Sequence, residues 1–288
     1  MATGLTLQIA ARTDVGKVRK NNEDAFVAAD LSDGAPGTLS EPIDASIPVG
    51  ERGGLLAVSD GMGGALAGEV ASATGLTALV ASLRDKVTLA APERAMVQSV
   101  KDADRAVRET ASRDAEHHGM GATLTAALIH GGDAYLAEVG DSRAYLVRAG
   151  VITQLTHDQS FVQMLVDRGA LSAADAAQFP YKNVILQALG KETRIKVALS
   201  RLALRRRDCL LLCSDGLSNK VTDAEMRDVV LRASTLVAVC DELVALANAN
   251  GGEDNVTILC AMVHGDAPEP HAREDLGSTL SVITSYEQ

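Results

Sequence analysis

Three acidic turns mark the places where this sequence could do chemistry. Residues 55–64 read LLAVSDGMGG, an apolar run that stops on Asp60 and is followed by Gly61, Gly63 and Gly64. Residues 210–217 read LLLCSDGL and close in the same way on Asp215. Residues 251–258, GGEDNVTI, reverse the order: glycines, then Glu253 and Asp254, then an apolar run. Apolar runs this short, bounded by glycine, read as strands buried in a sheet. Carboxylates gathered at strand tips repel one another and are costly to bury unless a cation sits among them. All-oxygen donors of this kind suit hard divalent ions such as Mg²⁺ or Mn²⁺. Asp-Gly is also a common turn dipeptide, so on the residues alone a ligand reading and a turn reading both stand.

The elements that must position these carboxylates follow from the pattern around them. Residues 5–11 and 23–29 read as strands, joined by a polar, basic connection over 13–22 that carries Arg19. Residues 30–54, rich in Gly, Pro, Ser and acids and without periodicity, read as a long loop or insertion. Two helices follow: the first has Leu66, Val70, Ala73, Val80 and Leu83 at roughly helical spacing. The second opens at Pro92 with Met96, Val100, Ala103 and Val107 on one face.

Residues 123–129 read as a strand, and 135–148 (YLAEVGDSRAYLVR) as a hairpin turning at Gly140-Asp141-Ser142. A short strand over 151–155 precedes a change of character at 160–190, with a helical piece that Ser172 and Asp175 could cap. Strands over 195–199 and 209–214 are separated by the basic run 205–207, which reads as a solvated turn, with docking of an acidic or phosphorylated surface as the alternative. Thr222 and Glu225 form a capping box for one helix, a longer helix starts at Ser234, and 255–263 is the last strand. Residues 264–288 are polar and aperiodic and read as a mobile tail. Strands, two helices, many strands, two helices and a strand suit one domain of two antiparallel sheets packed together with helices outside.

Composition narrows the function. The 288 residues carry a formal charge of −11, which argues against a nucleic-acid partner. Aromatics make up only 2 %, so Ala, Val, Leu and Ile must fill the core. Cys209, Cys213, Cys240 and Cys260 lie in apolar runs without zinc-site spacing and read as reduced core residues. No apolar stretch approaches 18 residues and no signal peptide is apparent, so a cytoplasmic location without a membrane span is expected.

Taken in order, RKNNEDA (19–25), SDGMGG (59–64) with Gly68-Glu69, GDSRAY (140–145), SDGL (214–217) and EDNV (253–256) resemble the PPM or PP2C family of metal-dependent Ser/Thr protein phosphatases. The resemblance is to bacterial stand-alone catalytic domains and covers about 5–263. It implies a four-layer α-β-β-α sandwich with a small flap at about 160–190. It also implies hydrolysis of phosphoserine and phosphothreonine in proteins, by a water or hydroxide bridging two Mg²⁺ or Mn²⁺ ions. By the same match, Asp60 is the bridging, catalytic carboxylate and Gly61 offers its carbonyl. Asp215 and Asp254 complete the first metal, Glu23 and Asp24 hold waters around the second, and Asp141 matches a ligand of a third, weaker ion. Arg19 matches the residue that grips the substrate phosphate, which a planar guanidinium does with two parallel hydrogen bonds.

The resemblance further implies phosphorylated proteins as substrates, a cognate Ser/Thr kinase to oppose, and a monomer. The chain departs from the family where Met62 and Ala65 stand in places that hold His in many members. A metal-bound water is then the candidate proton donor; His157, in LTHDQS, lies close to another family motif, and a functional and a structural reading of it both stand. A catalytically silent phosphoprotein-binding module and a hydrolase of small phosphate esters are the competing readings.

Overall fold

The computed structural model describes residues 4–32, 41–63, 67–86, 91–176, 179–191, 194–270 and 275–285. In chain order the strands and helices are β1 (Leu5–Asp14), β2 (Asp24–Asp30), β3 (Ile43–Pro48), β4 (Gly54–Met62), α1 (Ala67–Lys86), α2 (Pro92–Arg113), β5 (Gly121–Ala122), β6 (Leu124–His130), β7 (Asp133–Val139) and β8 (Arg143–Arg148). They continue with β9 (Val151–Gln154), α3 (Phe161–Asp167), α4 (Ala173–Ala176), β10 (Ala198–Ala203), β11 (Cys209–Cys213), α5 (Asp215–Ser218), α6 (Asp223–Arg232), α7 (Leu236–Ala249), β12 (Val256–Gly265) and β13 (Leu280–Thr284).

The strands form two sheets, one ordered β3-β1-β12-β11-β8-β9 and the other β13-β10-β7-β6-β4-β2, with the short β5 paired to β4. All the pairings are antiparallel. Alternation along the central strands shows why their sequences are apolar at every position. In β4, Leu55 and Ala57 face the layer that holds α1 and α2, while Leu56 and Val58 face the opposite sheet. In β11, Leu210 and Leu212 enter the space between the sheets, and Cys209, Leu211 and Cys213 face α6 and α7. A strand covered on both faces admits small hydrogen-bonded hydroxyls such as Ser59 and Thr125 but a charged side chain only near its end, so Asp60 and Asp215 mark the tips. The result is the expected four layers, with α1 and α2 on one outer face and α6 and α7 on the other.

Local signals place several elements as read. The Thr222–Glu225 capping box is formed in full, and Ser172 with Asp175 opens α4. Met96, Val100, Ala103 and Val107 are all buried. The helix read from Ser234 takes Thr235 as its cap instead, the hydroxyl accepting from Ala238 N. Among the described residues no helix is long and apolar enough to cross a membrane.

Four expectations are corrected. The segment 135–148 is no hairpin: β7 pairs with β6 and β10, whereas β8 pairs with β11 and β9 in the other sheet. Residues 140–142 are a crossing between sheets. Two alternating strands around Gly-Asp-Ser look the same locally in either case, and distant strands decide the partners. Within 30–54, Ile43–Pro48 is an edge strand on β1. Only Ile43 of it is fully buried, so no alternating pattern announces it; residues 33–40 lie outside the described residues.

The tail read as mobile contributes β13, which closes the edge of β10. Arg148 donates to Thr279 Oγ1 at 2.9 Å, Ala203 N bonds Thr279 O at 2.8 Å, and Arg206 N bonds Pro268 O at 2.7 Å. These anchors are remote in sequence, which is why composition missed them. Residues 271–274 and 286–288 lie outside the described residues. The strand read at 195–199 is also displaced, to Ala198–Ala203.

Beneath this anchor, Arg148 and Asp208 form a buried two-pronged pair, Nε–Oδ1 2.8 Å and Nη2–Oδ2 2.6 Å. Removing one partner strands a charge in the interior. Asp208→Ala should therefore lower the unfolding free energy by about 3–5 kcal/mol, read by urea denaturation. Removing the exposed Arg227–Asp228 contact should change it by less than about 1 kcal/mol.

Candidate active site

Asp60 stands near the end of β4, opposite Asp24 of β2 in the strand register. Its backbone is clamped to the start of β6: Asp60 N donates to Thr123 Oγ1 at 2.9 Å and Thr123 N donates to Asp60 O at 2.8 Å. Thr123 Oγ1 lies 2.7 Å from Ser142 Oγ, and Thr125 Oγ1 donates to Ser142 O at 2.5 Å. The crossing that carries Asp141 is thus pinned to the same framework. From the other sheet, Ser214 Oγ donates to Asp24 Oδ2 at 2.7 Å and accepts from Thr257 N at 3.0 Å. Asp215 follows as the first residue of α5 and accepts from Asn219 Nδ2 at 3.0 Å.

Asp254 is turned toward the basic connection: Arg19 Nη2 donates to its Oδ2 at 2.7 Å, and Asn255 N to its Oδ1 at 2.9 Å. Arg19 remains half exposed, so its guanidinium stands at the rim. Glu23 offers its backbone carbonyl to Gly61 N at 3.2 Å and to Ser72 Oγ at 2.7 Å. Lys17 and Lys20 are exposed, as expected.

The electrostatics of the cluster are those of like charges held out of water. Burial, then the neighbouring Asp24, Asp215, Asp141 and Asp254, raise the Asp60 carboxyl well above its usual range. Burial raises Asp24 to about 7, against the favourable bond from Ser214. Burial and Asp254 raise Asp215 to about 6, and burial with Asp215 and Asp158 pushes Asp141 up. Glu23 is raised by burial too. Asp24 Oδ1 and Asp215 Oδ1 are enclosed without any hydrogen-bond partner. Among the described residues no three acidic, His or Cys groups are already drawn to one point, consistent with Asp254 facing Arg19. The donor set nevertheless fits a hard cation: oxygen atoms only, two enclosed and unpartnered, on carboxyls that burial and neighbouring carboxylates push toward the protonated form.

Comparison with known proteins gives this constellation a family. The family model "Protein phosphatase 2C" matches residues 44–256. The chain belongs to the protein phosphatase 2C family. It is 35 % identical over 251 residues to the serine/threonine phosphatase stp of Listeria innocua, spanning 86 % of this chain and 92 % of that one. It is 38 % identical over 263 residues to the serine/threonine protein phosphatase PstP of Mycobacterium tuberculosis, 90 % of this chain and 45 % of that one. Among solved structures, the Streptococcus agalactiae serine/threonine phosphatase superposes with a TM-score of 0.78 at 32 % identity, covering 90 % of this chain and 100 % of that one. The catalytic domain of PstP in complex with two manganese ions gives 0.73 at 35 % identity, covering 90 % and 99 %.

Within this member of the phosphatase family, the glycines after Asp60 and Asp215 have a steric reason. A Cβ on Gly61 would collide with the carbonyl of Gly68 and approach Glu23 O to 2.7 Å, and one on Gly216 would collide with the carbonyl of Asn255. Asp-Gly here is therefore more than turn chemistry: the missing side chains let three segments meet at the carboxylates.

Reasoning from the chain alone missed the residues that hold the site rather than compose it. Asn255 accepts from Glu23 N at 2.8 Å and donates to Val15 O and Asn21 O at 3.0 and 2.9 Å, tying the Arg19 connection to Asp254. Asp158 takes Arg143 in a forked pair, Nε–Oδ1 2.9 Å and Nη2–Oδ2 2.6 Å. Only their places beside the motifs, EDN and THD, signalled them. His157 instead pairs its ring with Asp167 at 2.8 Å on the exposed side. Met62 is the last residue of β4, while Gly64 and Ala65 lie outside the described residues. All four cysteines are buried and unbridged, and burial pushes the Cys209 thiol up to about 12, so none is a nucleophile.

The raised carboxyls set a pH dependence. An acid whose folded pKa exceeds its unfolded value, near 4 for Asp, binds its proton more tightly in the folded state. For Asp24 and Asp215 the metal-free protein suffers no penalty below about pH 4, loses stability as pH rises from about 4 to about 7, and levels off above. The slope is at most about 1.4 kcal/mol per pH unit for each group. Asp24→Asn should flatten that decline in denaturation curves recorded with a chelator, and added Mg²⁺ should flatten it in the unsubstituted protein.

Proposed function

We propose that this chain hydrolyses phosphoserine and phosphothreonine in proteins with two divalent cations, Mg²⁺ or Mn²⁺, and that it opposes a Ser/Thr kinase in the cytoplasm. The observation that carries the reading is the inward-facing set Asp24, Asp60, Asp141 and Asp215, whose carboxyls are pushed above their usual range by burial and by neighbouring carboxylates. A structural scaffold gains nothing from so costly an arrangement, which disfavours a silent binding module. The family membership and the two-manganese complex of a related catalytic domain support the same assignment.

Asp60, with the Gly61 carbonyl, would bridge the two ions; Asp215 and Asp254 would complete one, Glu23 and Asp24 would hold waters around the other, and Asp141 would serve a third, weaker site. Held there, the ions would supply Lewis acidity toward a water and positive charge against the phosphoryl oxygens. Arg19 supplies the other positive charge. Released from Asp254, its guanidinium takes two phosphate oxygens and orients phosphorus toward Asp60. The Thr123–Ser142–Thr125 network keeps Asp60 and Asp141 from moving apart under mutual repulsion.

His157, occupied by Asp167 and largely exposed, is not placed to donate a proton to the leaving oxygen, and Met62 cannot; water held at the cluster fills that role. Asp141, Asp158, Ser160, Lys182 and Asp215 line a cleft of about 300 Å³ beside α3 and α4. The flap at 160–190 and the 30–54 segment would select the phosphoprotein that enters.

The test is phosphate release from a phosphothreonine peptide, with Mn²⁺ added or chelated. Metal should be required, and Asp60→Asn should reduce kcat by about 100-fold or more. Arg19→Ala should chiefly raise KM, by about tenfold. A folded, metal-binding protein that releases no phosphate, or an Asp60→Asn variant of full activity, would overturn the assignment.

A further inference from the structure

A second charged concavity lies away from the carboxylates, between α2 and the segment that enters β10. It has a volume of about 410 Å³ and is lined by Lys101, Asp104, Arg105, Arg108, Arg194 and Ile195. Lys101, Arg105 and Arg108 recur at helical spacing and so share one face of α2, and Arg194 faces them from the neighbouring segment. In a chain of formal charge −11, four cations around one concavity run against the overall balance.

Carboxylates of the same helix satisfy them only in part. Asp104, the only acid among the described lining residues, is buried and committed twice: it accepts from Arg108 Nη2 at 2.7 Å and from Gly190 N at 2.9 Å. Arg105 reaches Asp102 at 3.1 Å, but Asp102 is shared with Lys86 at 2.8 Å. Arg108 Nε is enclosed and makes no hydrogen bond. Among the described residues Lys101 and Arg194 have no acidic partner. Cations held this close repel one another unless an anion lies between them. Guanidinium forks beside an ammonium are the donor set that phosphate takes best.

We propose that this pocket binds a phosphate-bearing anion, at a site separate from the catalytic one. It shares no residue with the carboxylate cluster. Its wall is nonetheless bonded toward it: Gly190 N bonds Asp104, the adjacent Leu189 exchanges hydrogen bonds of 2.8 and 3.1 Å with Ala122, and Ala122 lies opposite Gly61 in the strand register. The anion is either free phosphate or a second phosphorylated residue of the substrate. The pocket requires neither metal nor hydrolysis, so it stands or falls apart from the catalytic assignment.

Residue-resolved NMR of the Mg²⁺-loaded protein, titrated with inorganic phosphate at low ionic strength, reads the two sites separately. Saturable shifts are expected at the amides of Lys101, Arg105, Arg108, Gly190 and Arg194. In K101A/R194A binding there should weaken by about tenfold or more, while shifts around Asp60 and hydrolysis of a small aryl phosphate stay unchanged. Lys101→Glu, on an exposed position, should weaken it further. Absent or non-saturating shifts along α2, or equal affinity in the double variant, would overturn the proposal. Singly and doubly phosphorylated peptides then distinguish the source. A second phosphate that lowers KM only when Lys101 and Arg194 are present assigns the pocket to substrate, and a KM indifferent to it assigns the pocket to free phosphate.

Discussion

Like charges crowded out of water are the constraint on which the structure turns. Asp24, Asp60, Asp141 and Asp215 come from two sheets and a crossing between them, and burial raises the proton affinity of all four, with Asp24, Asp141 and Asp215 adding to that of Asp60. A loosely built protein would relieve that repulsion by letting the carboxylates drift toward solvent. Here each is held by backbone near a strand end, and the strands behind them are covered on both faces. The stability of the layered core is what permits an unfavourable cluster to persist at its edge.

The hydroxyl and amide side chains around the cluster translate that core stability into position. Ser59 Oγ bonds Thr123 O at 2.6 Å, Thr123 joins Asp60 to Ser142, and Ser214 joins Asp24 to Thr257. Asn255 does the same for the Arg19 connection. These groups are small, buried and hydrogen-bonded, so they supply rigidity without adding charge. The close approach they require is also why glycine follows Asp60 and Asp215, since a side chain at either place would meet a carbonyl.

How legible this was varied with the range of the interaction. The Thr222–Glu225 box and the apolar face of α2 depend on neighbours three or four residues away, and both stood in the pattern. The tips at Asp60 and Asp215 were legible for another reason: a strand buried on both sides tolerates a charged residue only near its end. Asp141 was identified, yet its setting was misread as a hairpin, because Gly140-Asp141-Ser142 carries no record of which sheet the next strand joins. The edge strands β3 and β13 left almost no trace, since an edge strand with one exposed face needs only a partner with unpaired backbone groups.

By itself the sequence determined the chemical inventory: which carboxylates close apolar strands, which arginine lies in the connection before Glu23, which cysteines are inert, and the ordered motifs of the phosphatase family. Those are properties of residue type and short spacing, set by local backbone geometry and by the cost of burying polar groups. Only the tertiary structure decided that β7 and β8 belong to different sheets, that Asp254 meets Arg19 235 positions away, that residues 280–284 close an edge, and that three lysines and arginines of one helix face Arg194 across a pocket. Such contacts arise when distant segments satisfy one another's backbone and charge, and a linear pattern carries no term for that pairing.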